Sequence, residues 1–544
     1  MGKAAERARS VCCALVVVCL AYAAPADASV FCVAPATGCS GGQKPTLQAA
    51  LDAALAALGP DKVQLPSGVV NGPGAYDTAN PDNTVDLVGA GREATIVTSA
   101  ATGYVLDIRR AGLVSDLTVK QPNPPVAGQE GALLIGTVER VGLSSADSGF
   151  DSDISGTARH ILSSGPARLG VRGTLEDSQL SGGPLATGTG DTIVRRVRGV
   201  APEPIFGQNR SLAVSSSLFI STAPGGTVAG FSPSPVPNSH ATVVLSNVTL
   251  IGAGGAGCVG ISASGDNVYG PPNDFAVQDM TVANTIVRNC ATTLIRNSGG
   301  GNRTSNITVF NSDIDLSPAA VTQSGNGTLT AGAGDGNVNL DPLFLGLPGF
   351  EQLLRFDSPA IDRGLTSLVS PEESATDLGG DPRVADGNGD GVATRDIGAF
   401  EYQRRALAVT ATAIPSTAEI GQTIAFMGTA TEVDTGETVT GLTWRFDDGT
   451  TSTSATTGHA FAAAGSHTAT LTASDSAGVV ATATATVTVL AAPAVQSISL
   501  SPTTFRVVLT RARTAARRRI PTGTTVSLVR CPVIAFHALR GLPS

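Results

Sequence analysis

The 544-residue sequence contains one Trp and five Tyr, and its 35 Lys and Arg are outnumbered by 44 Asp and Glu. The net charge is −9, and the one strong basic run lies at Arg511–Arg519. Phosphate neutralisation requires a concentrated basic surface, so we expect no nucleic-acid partner. Beyond the N-terminal region, no segment approaches about 20 apolar residues, so we expect no transmembrane helix there.

The N-terminus has the order of features of a secretory signal. Basic residues precede the apolar stretch 11–24, and Ala26-Asp-Ala28 follows it. Charge, apolar core and small residues in this order predict a signal peptide over 1–28. We therefore expect a mature chain that is secreted or held at the cell surface.

Export permits disulfide bonds. Cys32 and Cys39 enclose a short loop, and their spacing predicts a local bond. Cys258 and Cys290 are predicted to bridge neighbouring coils of a repeat fold, which requires that the fold bring them into register. Cys531 has no evident partner.

The residues that are abundant favour strands and turns, since 64 Gly and 32 Pro accompany many Thr, Ser, Val and Asn. Thr46–Leu58 has leucines at helical spacing, and Gly59-Pro60 ends this predicted helix. A strand at Lys62–Leu65 and a strand-turn-strand at Val85–Val97 follow. This order resembles the opening of pectate-lyase-like right-handed parallel β-helices, in which the helix caps the first coil.

A six-residue pattern then recurs, with apolar residues at positions one and six and a small or polar residue at position three. Its members are VSDLTV at Val114, VERVGL at Val138, LEDSQL at Leu175, VSSSLF at Val214, LSNVTL at Leu245, VANTIV at Val282 and VFNSDI at Val309. Repetition at such intervals predicts a stacked solenoid, a β-helix over 29–340, in which Asn247, Asn284 and Asn311 stack in a ladder. One or more large antiparallel sandwiches are the alternative.

Two further modules follow. The motifs NLDPLF, DSPAIDRG, DLGGDPR, DGNGDG and RDIGAFEY resemble the choice-of-anchor Q module of bacterial surface proteins, which implies that 341–405 closes the β-helix. The alternating residues of 406–490 resemble a polycystic-kidney-disease (PKD) domain, an Ig-like sandwich with Trp444 in its core. We interpret 491–544 as a tail that contains a truncated β module, with its arginines in an exposed linker or in contact with an anionic polymer.

A turn-rich segment offers oxygen ligands at alternate positions. Asp386, Asn388 and Asp390 alternate with glycines, and Asp396 follows. This arrangement can wrap Ca²⁺, although the carboxylate required at position twelve of an EF-hand loop is replaced by Ile397. A cluster of Asx turns is the alternative interpretation.

No sequence motif identifies a catalytic site. The β-helix region lacks the paired aspartates and the Gly-His-Gly segment of polygalacturonase-type enzymes. A lyase requires a base and a cation that neutralises the substrate's carboxylate. The richest ionisable patch, whose members are also consistent with ordinary surface charges, consists of His160, Arg159, Arg172, Asp151 and Asp153.

These patterns favour display of a polar, repetitive surface over catalysis. We expect a secreted or surface protein that binds polysaccharide or another cell-envelope polymer, an expectation that the family resemblance supplies. A polysaccharide lyase or glycoside hydrolase, and an adhesin-like structural stalk, are the alternatives.

Overall fold

The computed structural model describes residues 28–492 with short gaps, and the backbone of 504–511 and 514–521. The gaps are 37, 58, 124, 234–238, 265–274, 299–301, 332–334, 347–350, 405–406 and 434–436. The predicted signal peptide, except for Ala28, and Cys531 therefore lie outside the described residues. Of the predicted tail, residues 491–492 and the antiparallel hairpin β33 (Thr504–Arg511) and β34 (Thr514–Pro521) are described.

The described chain forms two compact units. The first comprises the described residues within Met1–Leu340, Arg363–Arg383 and Asp396–Phe400, and the second comprises those within Asp341–Asp362, Val384–Arg395 and Glu401–Ser544. The predicted closing module, 341–405, is thus divided between them.

A 24-stranded parallel sheet system, wound as a right-handed β-helix, makes up most of the first unit. Its strands are β1 (Val30–Val33), β2 (Gly42–Lys44), β3 (Asp61–Gln64), β4 (Gly68–Asn71), β5 (Gly74–Tyr76), β6 (Val85–Val88), β7 (Thr95–Thr98), β8 (Gly103–Lys120), β9 (Gln129–Ser144), β10 (Ser152–Arg159), β11 (Leu162–Gly165), β12 (Leu169–Gly182), β13 (Leu185–Ala201), β14 (Ile205–Asn209), β15 (Ser211–Ser221), β16 (Thr227–Pro233), β17 (Ser239–Ile251), β18 (Val259–Ser264), β19 (Ala276–Ala283), β20 (Ile286–Arg288), β21 (Thr292–Asn297), β22 (Arg303–Phe310), β23 (Val321–Gln323) and β24 (Leu329–Ala331).

The repeat pattern fixes the register of the coils. The first residues of the hexapeptides are stacked in register and buried, and Ala158 and Val194 complete this inward column. Its members are Val114, Val138, Ala158, Leu175, Val194, Val214, Leu245, Val282 and Val309. Burial of such a side chain contributes about 1.5–3 kcal/mol. The parallel pairing shows that the alternative of antiparallel sandwiches is wrong for this unit.

The predicted cap helix is α1, Leu47–Ala56. Thr46 caps its N-terminus, since its side chain accepts a hydrogen bond from the amide of Ala49. Leu47, Leu51 and two alanines are buried against the first coils, whereas Leu55 is 39% exposed. The helix therefore covers apolar interior as expected, but with a narrower face than the leucine spacing predicted.

Both predicted cysteine pairs are bonded in the structure. The Cα atoms of Cys32 and Cys39 are 5.7 Å apart, and those of Cys258 and Cys290 are 4.9 Å apart. The second bond joins the loop after β17 to the loop after β20, two strands that pair directly. It therefore links adjacent coils.

A mainly antiparallel sandwich of two sheets makes up much of the second unit. The sheets are β25-β27-β30 and β26-β32-β31-β28-β29. Their strands are β25 (Ala408–Ile414), β26 (Thr417–Glu419), β27 (Ile424–Thr431), β28 (Val439–Phe446), β29 (Thr451–Ser452), β30 (Thr456–His459), β31 (Gly465–Asp475) and β32 (Val480–Leu490). Trp444 is fully buried among Phe426, Phe446 and Leu471, as predicted.

The two faces of α1 give a stability test with an internal control. Leu51→Ala should destabilise the β-helix by about 2–5 kcal/mol, because it opens a cavity under the cap. Leu55→Ala should cost much less, since Leu55 is partly exposed. Urea unfolding followed by far-UV circular dichroism measures both, because the lone Trp444 lies in the sandwich and does not report on this unit. Equal losses would contradict the assigned faces.

Candidate functional site

Each coil from β8 to β22 turns at a residue with positive φ. This turn column is stacked in register, and its φ values lie between 44° and 60°. Its members are Asp116, Arg140, His160, Asp177, Arg196, Ser216, Asn247, Asn284 and Asn311. Seven of them occupy position three of the predicted hexapeptides; His160 and Arg196 occupy coils that the pattern did not identify. The left-handed conformation disfavours most L-residues by about 1–2 kcal/mol and is visited most readily by Gly, Asn, Asp and His.

Hydrogen bonds along the column link successive coils. Asp116 receives two hydrogen bonds from Arg140, at 2.7 and 2.8 Å, and Asp177 receives two from Arg196, at 2.6 and 2.9 Å. Further along, Asn284 donates to Asn247 at 3.0 Å, as the predicted ladder requires. Arginine is unusual in this conformation, and each column arginine is held by the aspartate of the preceding coil.

These ion pairs determine the charge state of the aspartates. The Arg140 guanidinium holds the pKa of Asp116 below its ordinary value, against the opposing effect of burial. Arg196 lowers the pKa of Asp177 in the same way, and the charge of His160 adds to this effect. Both carboxylates are therefore held as anions.

Segments 363–383 and 396–400, which we call the strap, lie over the later members of the column. The backbone of Leu365 exchanges two hydrogen bonds with the Asn284 side chain, at 2.6 and 3.0 Å. Arg363 accepts one from Asn311, and Ser374 accepts one from Arg196. The strap thus runs along the side of the β-helix, from the Asn311 coil to the Arg196 coil. These segments thus find hydrogen-bond partners among the column side chains, and closure of the last coil by 341–405 stays a prediction.

The coils before the strap leave the column open as a cleft of about 490 Å³. We call it the column cleft. Its lining residues are Arg92, Glu93, Asp116, Arg140, His160, Ile161, Leu162, Asp177 and Gln179. His160 and Glu93 are exposed. The side chain of Arg92 donates to the His160 carbonyl at 3.4 Å, and the Arg92 carbonyl accepts from Thr118 at 2.6 Å, so the strand-turn-strand β6–β7 is attached to the cleft wall.

The cleft offers many hydrogen-bonding groups, including the carboxylates of Asp116 and Asp177. A glycoside hydrolase needs one carboxylic acid that donates a proton, usually with a raised pKa. Asp116 and Asp177 have lowered pKa values. They are suited to accept hydrogen bonds from a ligand rather than to act as acids.

The five residues proposed from sequence do not form one site. His160 lies in the column cleft, whereas Arg159 beside it pairs with buried Glu176 at 2.9 Å. Asp151 and Asp153 pair with Arg168, near the opposite end of β10. Asp153 and Arg159 are six residues apart on a strand, which places them up to about 20 Å apart. Their catalytic roles stay predictions.

Arg172, the fifth candidate, lies on β12 beside the coil of β13. A Cβ added at Gly188 would lie 2.7 Å from its Cγ and 2.9 Å from its Nε. The side chain of Arg172 therefore rests on Gly188, on a strand face rather than in the column cleft.

The proposed Ca²⁺ ligands form a network of turns. Asp386 accepts from the amides of Gly389, Asp390 and Gly391, at 2.7–3.1 Å. Asn388 also accepts from the Asp390 amide, and Asp390 from that of Val392. Asp396 belongs to the first unit and the other three to the second. Because the side-chain oxygens accept backbone amides, this arrangement favours the Asx-turn interpretation, and Ca²⁺ binding stays a prediction.

Sequence reasoning missed much of the cleft. The repeat pattern placed Asp116, Arg140 and Asp177 at position three, but assigned them neither a turn nor a role in binding. Arg92 and Glu93 carry no local signal, since their position depends on the lengths of the intervening loops.

The fold defines an all-β protein in which a right-handed parallel β-helix precedes an Ig-like sandwich. A family model of the PKD domain matches residues 408–489, which identifies the sandwich. PKD domains are typical of extracellular or surface proteins. A comparison with curated proteins finds no match. Among the described residues, no helix has the length and apolarity needed to cross a membrane.

The Asp177–Arg196 pair predicts a pH dependence of stability. The depressed folded-state pKa means that ionised Asp177 contributes stability above its unfolded pKa of about 3.9, and that this contribution is lost as pH falls through the folded value. Asp177→Asn should therefore destabilise most near neutral pH and least in acid. Asparagine tolerates the left-handed turn, so the backbone need not change.

Thermal unfolding from about pH 3 to pH 7 measures this difference. Arg196→Gln provides the control: in that background, Asp177→Asn should change stability little at any pH, because the partner is gone. A loss that does not vary with pH would contradict the assigned ion pair.

Proposed function

We propose that this protein acts outside the cytoplasm, secreted or at the cell surface, where it binds a polysaccharide or similar cell-envelope polymer in the column cleft. The observation that supports the proposal most directly is the open, polar stretch of the turn column between β6–β7 and the strap. The PKD domain supports the location. The resemblance of 341–405 to the choice-of-anchor Q module supports display on a surface.

The geometry of stacked coils suits a polymer. Adjacent strands lie about 4.8 Å apart, so each coil presents its turn residue at a regular interval. Four successive coils contribute Asp116, Arg140, His160 and Asp177 to the cleft. Fixed side chains at regular intervals can contact successive units of a chain that crosses the coils.

The chemistry of the lining suits hydroxyl groups. The paired aspartates have oxygens that accept hydrogen bonds, while Gln179 and His160 can both donate and accept. Asp116 and Asp177 are already held in place by arginines. Preorganised side chains lose little conformational entropy on binding. This favours affinity for a polysaccharide, which has little apolar surface to bury.

The chemistry of Asp116 and Asp177 suits binding of a polysaccharide better than its hydrolysis. Their lowered pKa values suit acceptors and oppose the role of general acid. A lyase that uses His160 as its base, and a stalk without a ligand, are distinguished by the experiment below.

The column cleft can be tested through His160. His160→Asn removes the imidazole and supplies a residue that tolerates the turn conformation. Loss of about one hydrogen bond, roughly 1.4 kcal/mol, should weaken binding about tenfold. The purified secreted protein is screened against immobilised neutral and acidic polysaccharides, and the affinity of each variant is measured on those that bind.

His240→Asn is the matched control. His240 is exposed, pairs with Asp279 at 2.7 Å and lies on the coil of Asn247, four coils from His160, which separates the two histidines by at least about 19 Å. Its affinity should equal that of the unmodified protein. New reducing ends or unsaturated products that disappear in His160→Asn would show an enzyme instead. If the protein binds none of the polysaccharides, the structural stalk is the remaining alternative.

A further inference from the structure

A second row of residues, in which Phe206 is exposed whereas Gly170 and Ala186 are buried, crosses the β-helix away from the column cleft. Its residues lie in register on five consecutive coils, and we call it the Phe206 strip. Its members are Asp153, Gly170, Ala186, Phe206 and Gly230. On β12, Gly170 of the strip and Asp177 of the cleft are seven residues apart, which separates them by up to about 23 Å.

The Phe206 strip is built from small residues around one aromatic ring. Phe206 is 37% exposed, and its in-register neighbours are Ala186 and Gly230. A Cβ added at Gly230 would lie 3.9 Å from the Phe206 Cβ, so a larger side chain there would stand beside the ring. Ala186 is buried, so the accessible apolar surface at this point of the strip is the ring of Phe206. A single exposed apolar residue is ordinary, so the surroundings must decide whether it has a role.

Two polar residues lie near Phe206 in the strand register. Gln208, two residues after Phe206, points to the same side of the sheet, as does Gly188 beside Ala186. Arg172 rests on Gly188, where a Cβ would crowd its stem. Arg172 is exposed and makes no ion pair among the described residues. Its guanidinium therefore has donors available one coil from the ring.

At the other end of the strip, a glycine again leaves room for a neighbouring side chain. A Cβ at Gly170 would overlap the Asp153 carboxylate and lie 2.7 Å from the Arg168 guanidinium. Arg168 pairs with Asp153 at 3.3 Å and with Asp151 at 2.9 Å. Gly170 thus allows the paired side chains of Asp153 and Arg168 to lie across the sheet. There they present hydrogen-bond acceptors and donors without projecting far from it.

We propose that the Phe206 strip is a second glycan subsite, in which a pyranose ring stacks on Phe206 while Arg172 and Gln208 bind its hydroxyl or carboxylate oxygens. This inference rests on the proposed function, because it takes polysaccharide as the ligand. A pyranose has an apolar C–H face and a polar rim, and the strip has an apolar ring with polar neighbours.

The size of the apolar surface argues against a protein as the occupant. A stable protein–protein interface buries about 800 Å² on each partner around an apolar, often aromatic, core. Along the strip, the exposed apolar surface amounts to one phenyl ring, that of Phe206. That area matches one sugar ring rather than a protein surface.

Three substitutions at Phe206 test the stacking. Phe206→Ala and Phe206→Leu should each weaken polysaccharide binding about tenfold, since both remove the aromatic face. Phe206→Tyr should bind within about twofold of the unmodified protein, because it keeps that face. Leucine is the matched control for apolarity, and thermal unfolding of each variant shows that the fold is intact. The probes are the immobilised neutral and acidic polysaccharides of the screen above.

The outcomes separate this inference from the proposed function. If Phe206→Ala and Phe206→Leu bind like the unmodified protein while His160→Asn loses affinity, the strip is not a subsite and the column cleft stands. If the Phe206 variants lose affinity and His160→Asn does not, the strip is the binding surface and the cleft assignment is wrong. If the unmodified protein binds no polysaccharide, both proposals are overturned.

Discussion

One backbone constraint governs the β-helix: from β8 to β22, each coil must turn at a residue in the left-handed conformation, at the same place as its neighbours. Two residues before each turn lies a buried apolar residue, so a shift of one position would expose the core column. At the Asp116–Arg140, Asp177–Arg196 and Asn247–Asn284 pairs, hydrogen bonds that run from coil to coil oppose the cost of the turn, about 1–2 kcal/mol for most L-residues. The core, the column cleft and the strap contacts all depend on that shared register.

This constraint is visible in the sequence as the repeated six-residue pattern, which is why the fold could be predicted from it. Apolar residues at positions one and six are buried, and position three is the turn. The pattern failed at the coils of His160 and Arg196 because Ser163 and Gly199 occupy their sixth positions, where an apolar residue was required. In both coils the turn is still made. The inward residue and the turn residue therefore define a coil, whereas the sixth position tolerates exceptions.

The candidate sites were much less predictable. Neighbours in a β-helix are one coil apart in space but from 17 to 37 residues apart in sequence, as the pairs His160–Asp177 and Asn247–Asn284 show. Closeness in sequence therefore grouped Asp153 with Arg159, although they lie near opposite ends of one strand. Arg92 and Asp177 line one cleft because the intervening loops bring their coils together. Without a catalytic motif, the sequence does not indicate which residues those loops bring together.

The composition of the turn column nevertheless reflects what lies over it. Ser216, Asn247 and Asn284, beneath the strap, are uncharged and fully buried. A charge there would lose its hydration, whereas an amide can be satisfied by strap backbone, as Leu365 satisfies Asn284. The charged members, from Asp116 to Arg196, lie where water or a ligand can reach them, and Arg196 marks the boundary with its contact to Ser374. In this solenoid, polarity at one repeated position thus separates the coils that hold the strap from those left open for binding.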